Sequence, residues 1–150
     1  TVEDARSGDG SYIDAVAKET LRLRPVLPLV ARRLREPVTL GGRDLPAGVD
    51  VAPCIYLVPH REDVYPEPDA FRPERFVGVK PGTYTWMPFG GGVRRCIGAS
   101  FALFEMQVVL GAVLRSVDLR AAEPRSERTG RRTITLVPAK GARAIPSRAA

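Results

Sequence analysis

Cysteine and histidine are almost missing from this chain, which holds two cysteines, Cys54 and Cys96, and one histidine, His60. A structural zinc site draws four ligands from these residue types, so Cys/His zinc binding is excluded. Two cysteines make no disulfide framework and point to an intracellular, cytoplasmic setting. No apolar run reaches the roughly 20 residues of a transmembrane helix, so no membrane segment is expected in this piece. No signal peptide opens the sequence. The start, Thr1-Val2-Glu3-Asp4, carries no Met and does not read as a native terminus, which leaves room for a lost anchor. Lysine is scarce too: Lys18, Lys80 and Lys140 are the only ones among 23 basic residues. The net charge of +6 therefore rests on arginine, but the arginines are scattered and aromatics make up only 7%. A nucleic-acid surface needs clustered charge interleaved with exposed aromatics, so no nucleic-acid partner is expected.

What is present is ordinary for a globular domain, with 44% hydrophobic and 27% charged residues. The 150 residues make one domain's worth of chain, and no internal repeat is visible. Ser7-Gly8-Asp9-Gly10 reads as a loop. Ser11 is a candidate N-cap for a helix to about Arg24, with Asp14 in a capping-box-like position. Ile13, Val16, Ala17, Leu21 and Leu23 supply an apolar stripe, and Pro25 closes the helix. Val38-Thr39-Leu40 followed by Gly41-Gly42 predicts a strand and tight turn. Leu45-Pro46-Ala47-Gly48 predicts a second turn. Val49 to Val58 predicts a strand, held to a sheet edge by Pro53. Arg131 to Val137 predicts another strand, and residues 141–150 a disordered basic tail. Ile97 to Arg115 is apolar almost all round, the pattern of a helix buried in something larger.

The chemistry concentrates in Phe89-Gly90-Gly91-Gly92-Val93-Arg94-Arg95-Cys96-Ile97-Gly98. Three successive glycines allow close backbone approach to a ligand. Cys96 falls at or just before a helix start, where orphan N–H groups and the helix dipole favour a negative sulfur. A thiolate there is a soft metal ligand. Two plainer readings stand beside this one. A cysteine among glycines is often a small buried hydrophobe, and a glycine turn opening a helix can cradle phosphate. The phosphate reading is weakened by the lack of a Gly-Lys-Ser/Thr ending or a dinucleotide-type glycine spacing.

Two further segments carry charge at defined spacing. Glu19 and Arg22 lie three apart on one predicted helix face and can pair. Phe71-Arg72-Pro73-Glu74-Arg75-Phe76 follows about fifty residues later. Taken in order, these two segments and the F-x-x-G-x-R-x-C-x-G loop resemble the cytochrome P450 family over roughly residues 11–140. The resemblance implies the C-terminal portion of that fold, mainly α with small β-sheets (α+β), without the N-terminal half or the distal oxygen-activating helix.

For the site, the resemblance implies haem b (iron protoporphyrin IX), with Cys96 as proximal iron ligand and catalytic thiolate. Phe89, Gly90, Gly98 and Ala102 would lie against the ring, and Arg94 and Arg32 would pair with its propionates, with Arg33 as the alternative to Arg32. Glu19, Arg22 and Arg75 would form a structural triad, and His60 would be structural. Val26 to Val30 would line a pocket for a small apolar organic substrate. The implied activity is a haem-thiolate monooxygenase, inserting one atom of O2 into substrate. Its electrons would come from a ferredoxin with its reductase, or from a flavodoxin-type donor docked near Arg95 and Arg115. Two alternatives remain: a haem-thiolate isomerase, dehydratase or peroxygenase, and a truncated, catalytically inactive haem-binding piece.

Overall fold

The computed structural model describes residues 10–148. The Ser7–Asp9 part of the first loop lies outside them. Two helices dominate: α1 spans Ser11–Leu23 and α2 spans Ala99–Ser116. Four two-stranded antiparallel sheets surround them. In chain order their strands are β1 Arg32–Arg33, β2 Val38–Leu40, β3 Arg43–Leu45, β4 Asp50–Val51, β5 Val117–Ala121, β6 Thr129–Arg132, β7 Thr135–Pro138 and β8 Ala144–Arg148. The pairs are β1–β4, β2–β3, β5–β8 and β6–β7. The α+β character expected from the sequence is present.

Helix α1 begins one residue earlier than its polar signature implied. Gly10, at φ 85°, is the N-cap, and Ser11 is already helical. Asp14 takes no capping role; its carboxylate accepts from Lys18 one turn on and from Gln107 of α2. The buried face is Ile13, Ala15, Ala17, Glu19, Leu21 and Arg22, so an ion pair occupies positions where a simple apolar stripe was expected. Pro25 follows the C-cap Arg24 and stops the helix.

Turn chemistry set the β2–β3 hairpin. Its register pairs Leu40 with Arg43, leaving Gly41 and Gly42 as a two-residue loop with φ of 57° and 74°, the geometry of a type I′ turn. Three other strand expectations need correction. The run Val49 to Val58 yields only β4, because it turns away before Pro53 and ends in a 3-10 turn over Val58–His60. The run Arg131 to Val137 is not one strand but the β6–β7 hairpin, reversed at Thr133, which takes φ 56°. The expected disordered tail contains β8, paired along its whole length with β5 from Val117↔Arg148 to Ala121↔Ala144.

The core gathers between α1 and the segments that follow the first sheets. Ala15, Leu21, Phe76 and Trp86 form its centre, with Tyr65, Phe89, Leu103 and Met106 packed on it. Helix α2 touches this core with one narrow side. Only Ala99 and Gly111 are buried within it, while Phe101, Phe104, Val108 and Val109 are all more than half exposed. Its 18 residues have a mean hydropathy of 1.3, so by length and composition alone it could cross a membrane. Glu105 and Arg115 interrupt its apolar run, so the helix carries no clear membrane span.

Candidate functional site

Three segments build the site, and α1 is the first. Glu19 and Arg22 are 0% and 1% exposed, and a charge in such a place persists only if fully partnered. The partnering is thorough. Arg22 Nε donates to Glu19 Oε2 at 2.6 Å and Nη2 to Oε1 at 2.9 Å, a bidentate fork. Its remaining donors reach the carbonyls of Pro59 at 2.7 Å and Pro68 at 2.8 Å, and its guanidinium lies 5.1 Å over the Tyr65 ring. Glu19 Oε1 also accepts the backbone N–H of Arg72 at 2.8 Å.

The second segment is the 3-10 turn Pro73–Phe76, which brings Arg75 to the same carboxylate. Its Nε lies 3.6 Å from Glu19 Oε1, an ion pair without a hydrogen bond, and this nitrogen is buried without a hydrogen-bond partner. Its Nη2 donates instead to the carbonyls of Pro66 and Glu67 at 2.7 and 3.0 Å. The three residues therefore do come together, but unequally. Arg22 neutralises Glu19, and Arg75 clamps the 66–67 turn beside it. The contribution of the Arg72 amide escaped sequence reasoning, since a peptide N–H carries no side-chain mark.

The third segment is the cysteine loop. Gly90 and Gly92 take φ of 72° and 64°, conformations that a side chain would strain. They curl the chain through a 3-10 turn, Gly92–Arg94, so that the Cys96 N–H donates to Phe89 O at 2.9 Å. Gly98 is the N-cap of α2, which puts Cys96 two residues before the cap, as its sequence position implied. Phe89 packs edge-to-face on Trp86 with centroids 6.0 Å apart, anchoring the loop's first residue in the core. Cys96 itself is exposed, between Val93 and Ile97, whose side chains are fully open. Among the described residues no group of three His, Cys, Asp or Glu could hold a metal ion, so ligation would fall to this single sulfur.

The candidate anion-binding arginines sort by partner. Arg33 is engaged by Asp50 through two 2.9 Å hydrogen bonds, and these hold the Asp50 carboxyl below its ordinary range. Its neighbour Arg32 is exposed, and its guanidinium donates to the carbonyl of Ala31 at 2.8 Å. Arg94 is also exposed. Among the described residues neither Arg32 nor Arg94 pairs with a carboxylate. His60 is occupied structurally: its ring stacks on Tyr56 and Nδ1 lies 2.7 Å from Tyr56 O. Cys54 is half-buried with Sγ 3.5 Å from Pro28 O. A cavity of about 680 Å³ lies elsewhere, lined by residues such as Leu21, Val26, Met106 and Leu136, and none of Cys96, Arg94 or Arg32 borders it.

The sequence model of the cytochrome P450 family matches residues 7–143. The chain belongs to the cytochrome P450 family. Its relatives include cytochrome P450 135B1 of Mycobacterium tuberculosis and M. bovis, 50% identical over 91% of this chain. Cytochrome P450 137 of M. tuberculosis is 44% identical over 93% of it. Among solved structures, a six-coordinated cytochrome P450 from Thermus thermophilus superposes with a TM-score of 0.83 at 34% identity over 97% of this chain. Retinoic acid-bound cyanobacterial CYP120A1 gives 0.81 at 28% identity over 92%. The chain spans 29% of the length of the 135B1 and 137 proteins, and 38% and 32% of the two solved chains.

Membership in the P450 family implies a haem cofactor, and the residues present fit one. The donor chemistry is right, since a lone accessible sulfur would suit an iron whose remaining protein-independent ligands come from the haem ring. Gly98 lies beside that sulfur: a Cβ there would sit 3.9 Å from Cys96 Sγ, in ordinary van der Waals contact. Beside it Ile97 and Phe101 present apolar surface, and Arg94 and Arg32 have guanidiniums to spare for carboxylates.

Proposed function

We propose that the chain supplies the thiolate side of a haem-thiolate monooxygenase acting on a small apolar organic substrate. The observation that carries this reading is the cysteine loop: Cys96 holds an exposed sulfur at a helix start while its own amide is tied back to Phe89. Haem b fits the ligand set, with Cys96 on the iron and Phe89, Gly90, Gly98 and Ala102 against the ring. Arg94 and Arg32 would take the propionates, because a buried carboxylate needs a charge-assisted donor and guanidinium offers two parallel N–H groups. When bound, thiolate-ligated haem supplies oxygen activation, the thiolate's electron donation favouring O–O cleavage.

The chain's own residues do the rest. Glu19, Arg22 and Arg75 fix the 59–76 segment to α1, and the glycine turns present the sulfur outward. The substrate reading rests on the 26–30 run, where Val26 and Leu29 are about half exposed and apolar. A ferredoxin or flavodoxin-type protein would deliver electrons, and the exposed Arg95 and Arg115 give it a basic surface to meet. Two unpaired cysteines suit a cytoplasmic setting.

The test is the carbon monoxide difference spectrum of the dithionite-reduced chain, expressed with haem supplied. A strongly red-shifted Soret band in the parent, lost in Cys96→Ser, supports the assignment. A thiolate-type band that survives Cys96→Ser refutes it, and a histidine-type band moves attention to His60.

A further inference from the structure

We propose that Trp86 is a positioning residue for the Cys96 sulfur, tying the cysteine loop to α1; the proposal rests on the reading of Cys96 as haem ligand. Trp86 sits at a three-way junction. Its indole Nε1–H donates to Lys18 O at 3.0 Å, across 68 residues of sequence. That carbonyl lies inside α1, one residue before Glu19, and a carbonyl oxygen has a second lone pair to offer beyond its helical bond. Its ring meets Phe76 edge-on with centroids 6.3 Å apart, next in sequence to Arg75 of the triad. On the other side it meets Phe89 at 6.0 Å. Phe89 then accepts the Cys96 N–H.

The route from the buried ion pair to the sulfur is thus a short series of contacts: the α1 backbone, Trp86, Phe89 and the Cys96 amide. Among the described residues the triad's own hydrogen bonds end at 59–72, short of the cysteine loop. Phenylalanine at position 86 would still fill the core, since aromatic edges supply the packing. It would lack the donor, leaving the ring on which Phe89 packs held to α1 by packing alone and free to slide. The indole N–H is therefore the specific element. Trp86 is only 9% exposed, and its bond to Lys18 O is part-buried, which reduces the competition from water.

The test compares the parent with Trp86→Phe and with a chain carrying benzothienylalanine at position 86, which keeps the ring shape and replaces N–H by sulfur. The readout is amide hydrogen exchange at Cys96, referenced to the Leu136 amide, which bonds to Val26 O at 2.7 Å in another part of the chain. Both variants should speed Cys96 exchange about tenfold, the order of one net hydrogen bond, with little change at Leu136. Equal acceleration at both amides, no change at either, or a Cys96 amide already unprotected in the parent overturns the proposal. The carbon monoxide spectrum separates the two readings. A thiolate band with Cys96 exchange unaltered by the variants sinks Trp86 alone. Accelerated exchange without a thiolate band in the parent sinks Cys96 as ligand and leaves the tether standing.

Discussion

Among the described residues, Glu19 and Arg22 together concentrate the most risk, because both charges are out of water. Removing one leaves the other uncompensated, at a cost of about 3–5 kcal/mol. Glu19→Ala is therefore expected to abolish a cooperative urea transition, or to shift its midpoint far down. Arg75→Ala should cost less, since its side chain is 14% exposed and its Nε makes no hydrogen bond to the carboxylate. An Arg75→Ala midpoint as low as that of Glu19→Ala would contradict this ranking. Tyr65, beneath the Arg22 guanidinium, gives a pH-dependent check. Burial raises the Tyr65 phenol above its ordinary value, against a side-chain hydrogen bond with Thr85 and the charge of Arg22. The folded chain then keeps a proton that the unfolded chain releases. The resulting stability is complete below the unfolded pKa of about 10 and drains away as pH rises through the folded value. Tyr65→Phe should flatten this alkaline loss in urea midpoints taken across that range; an unaltered slope assigns the loss elsewhere. Glu19 and Arg22 were legible as a pair from side-chain chemistry and spacing, whereas Arg75 and the ligand reading of Cys96 came with the family resemblance. The Arg72 amide and the Trp86 indole were legible in neither way, since what matters there is a donor's aim, which only folding sets.

Among elements, β8 and the α1–α2 contact make separable predictions. Ala144–Arg148 supplies every partner of β5, so deleting residues 142–150 exposes a full strand edge beside α2. A clear fall in Tm is expected, and an unchanged Tm would return this segment to the status of a tail. At the helix crossing, a Cβ on Gly111 would lie 3.4 Å from Ile13 Cδ1 and 3.2 Å from Arg115 Nη1. The arginine end can swing aside, and alanine gains about 1 kcal/mol of helix propensity. Gly111→Ala should thus unfold within a few degrees of the parent. Gly111→Leu should lose about 1–3 kcal/mol by overpacking against Ile13. Equal tolerance of both would mean that the helices are not in contact there. Turns with Gly or Pro at defined places were readable, as Gly41-Gly42 and Pro25 show. The β6–β7 reversal was hidden because Thr133, Ile134 and Thr135 all favour strand, and Thr133 reverses the chain in a conformation that β-branched residues avoid. Strand β8 was hidden because Ala-Ile-Pro-Ser-Arg has little strand character of its own and gains it from β5.

For the molecule as a whole, the outstanding feature is the outer side of α2. Phe101, Phe104, Val108 and Val109 are 69%, 63%, 51% and 52% exposed, although the helix has the composition of a core element. Its apolarity was legible from sequence; which side stays uncovered was not, because that depends on where α1 and Gly111 meet. Contiguous apolar surface of this kind drives association in water. The chain at rising concentration should therefore self-associate in light scattering and bind an apolar fluorescent dye. The double variant Phe104→Lys/Val108→Lys should shift it towards monomer and reduce dye binding. Its helical circular dichroism should be unchanged, because neither side chain contributes to the α1 contact through Gly111. Two results would count against this account. A parent that stays monomeric and dye-free would mean the face is covered in solution by the chain itself. A variant that loses helix along with association would mean that these residues pack inward and that α2 is rotated from the orientation described.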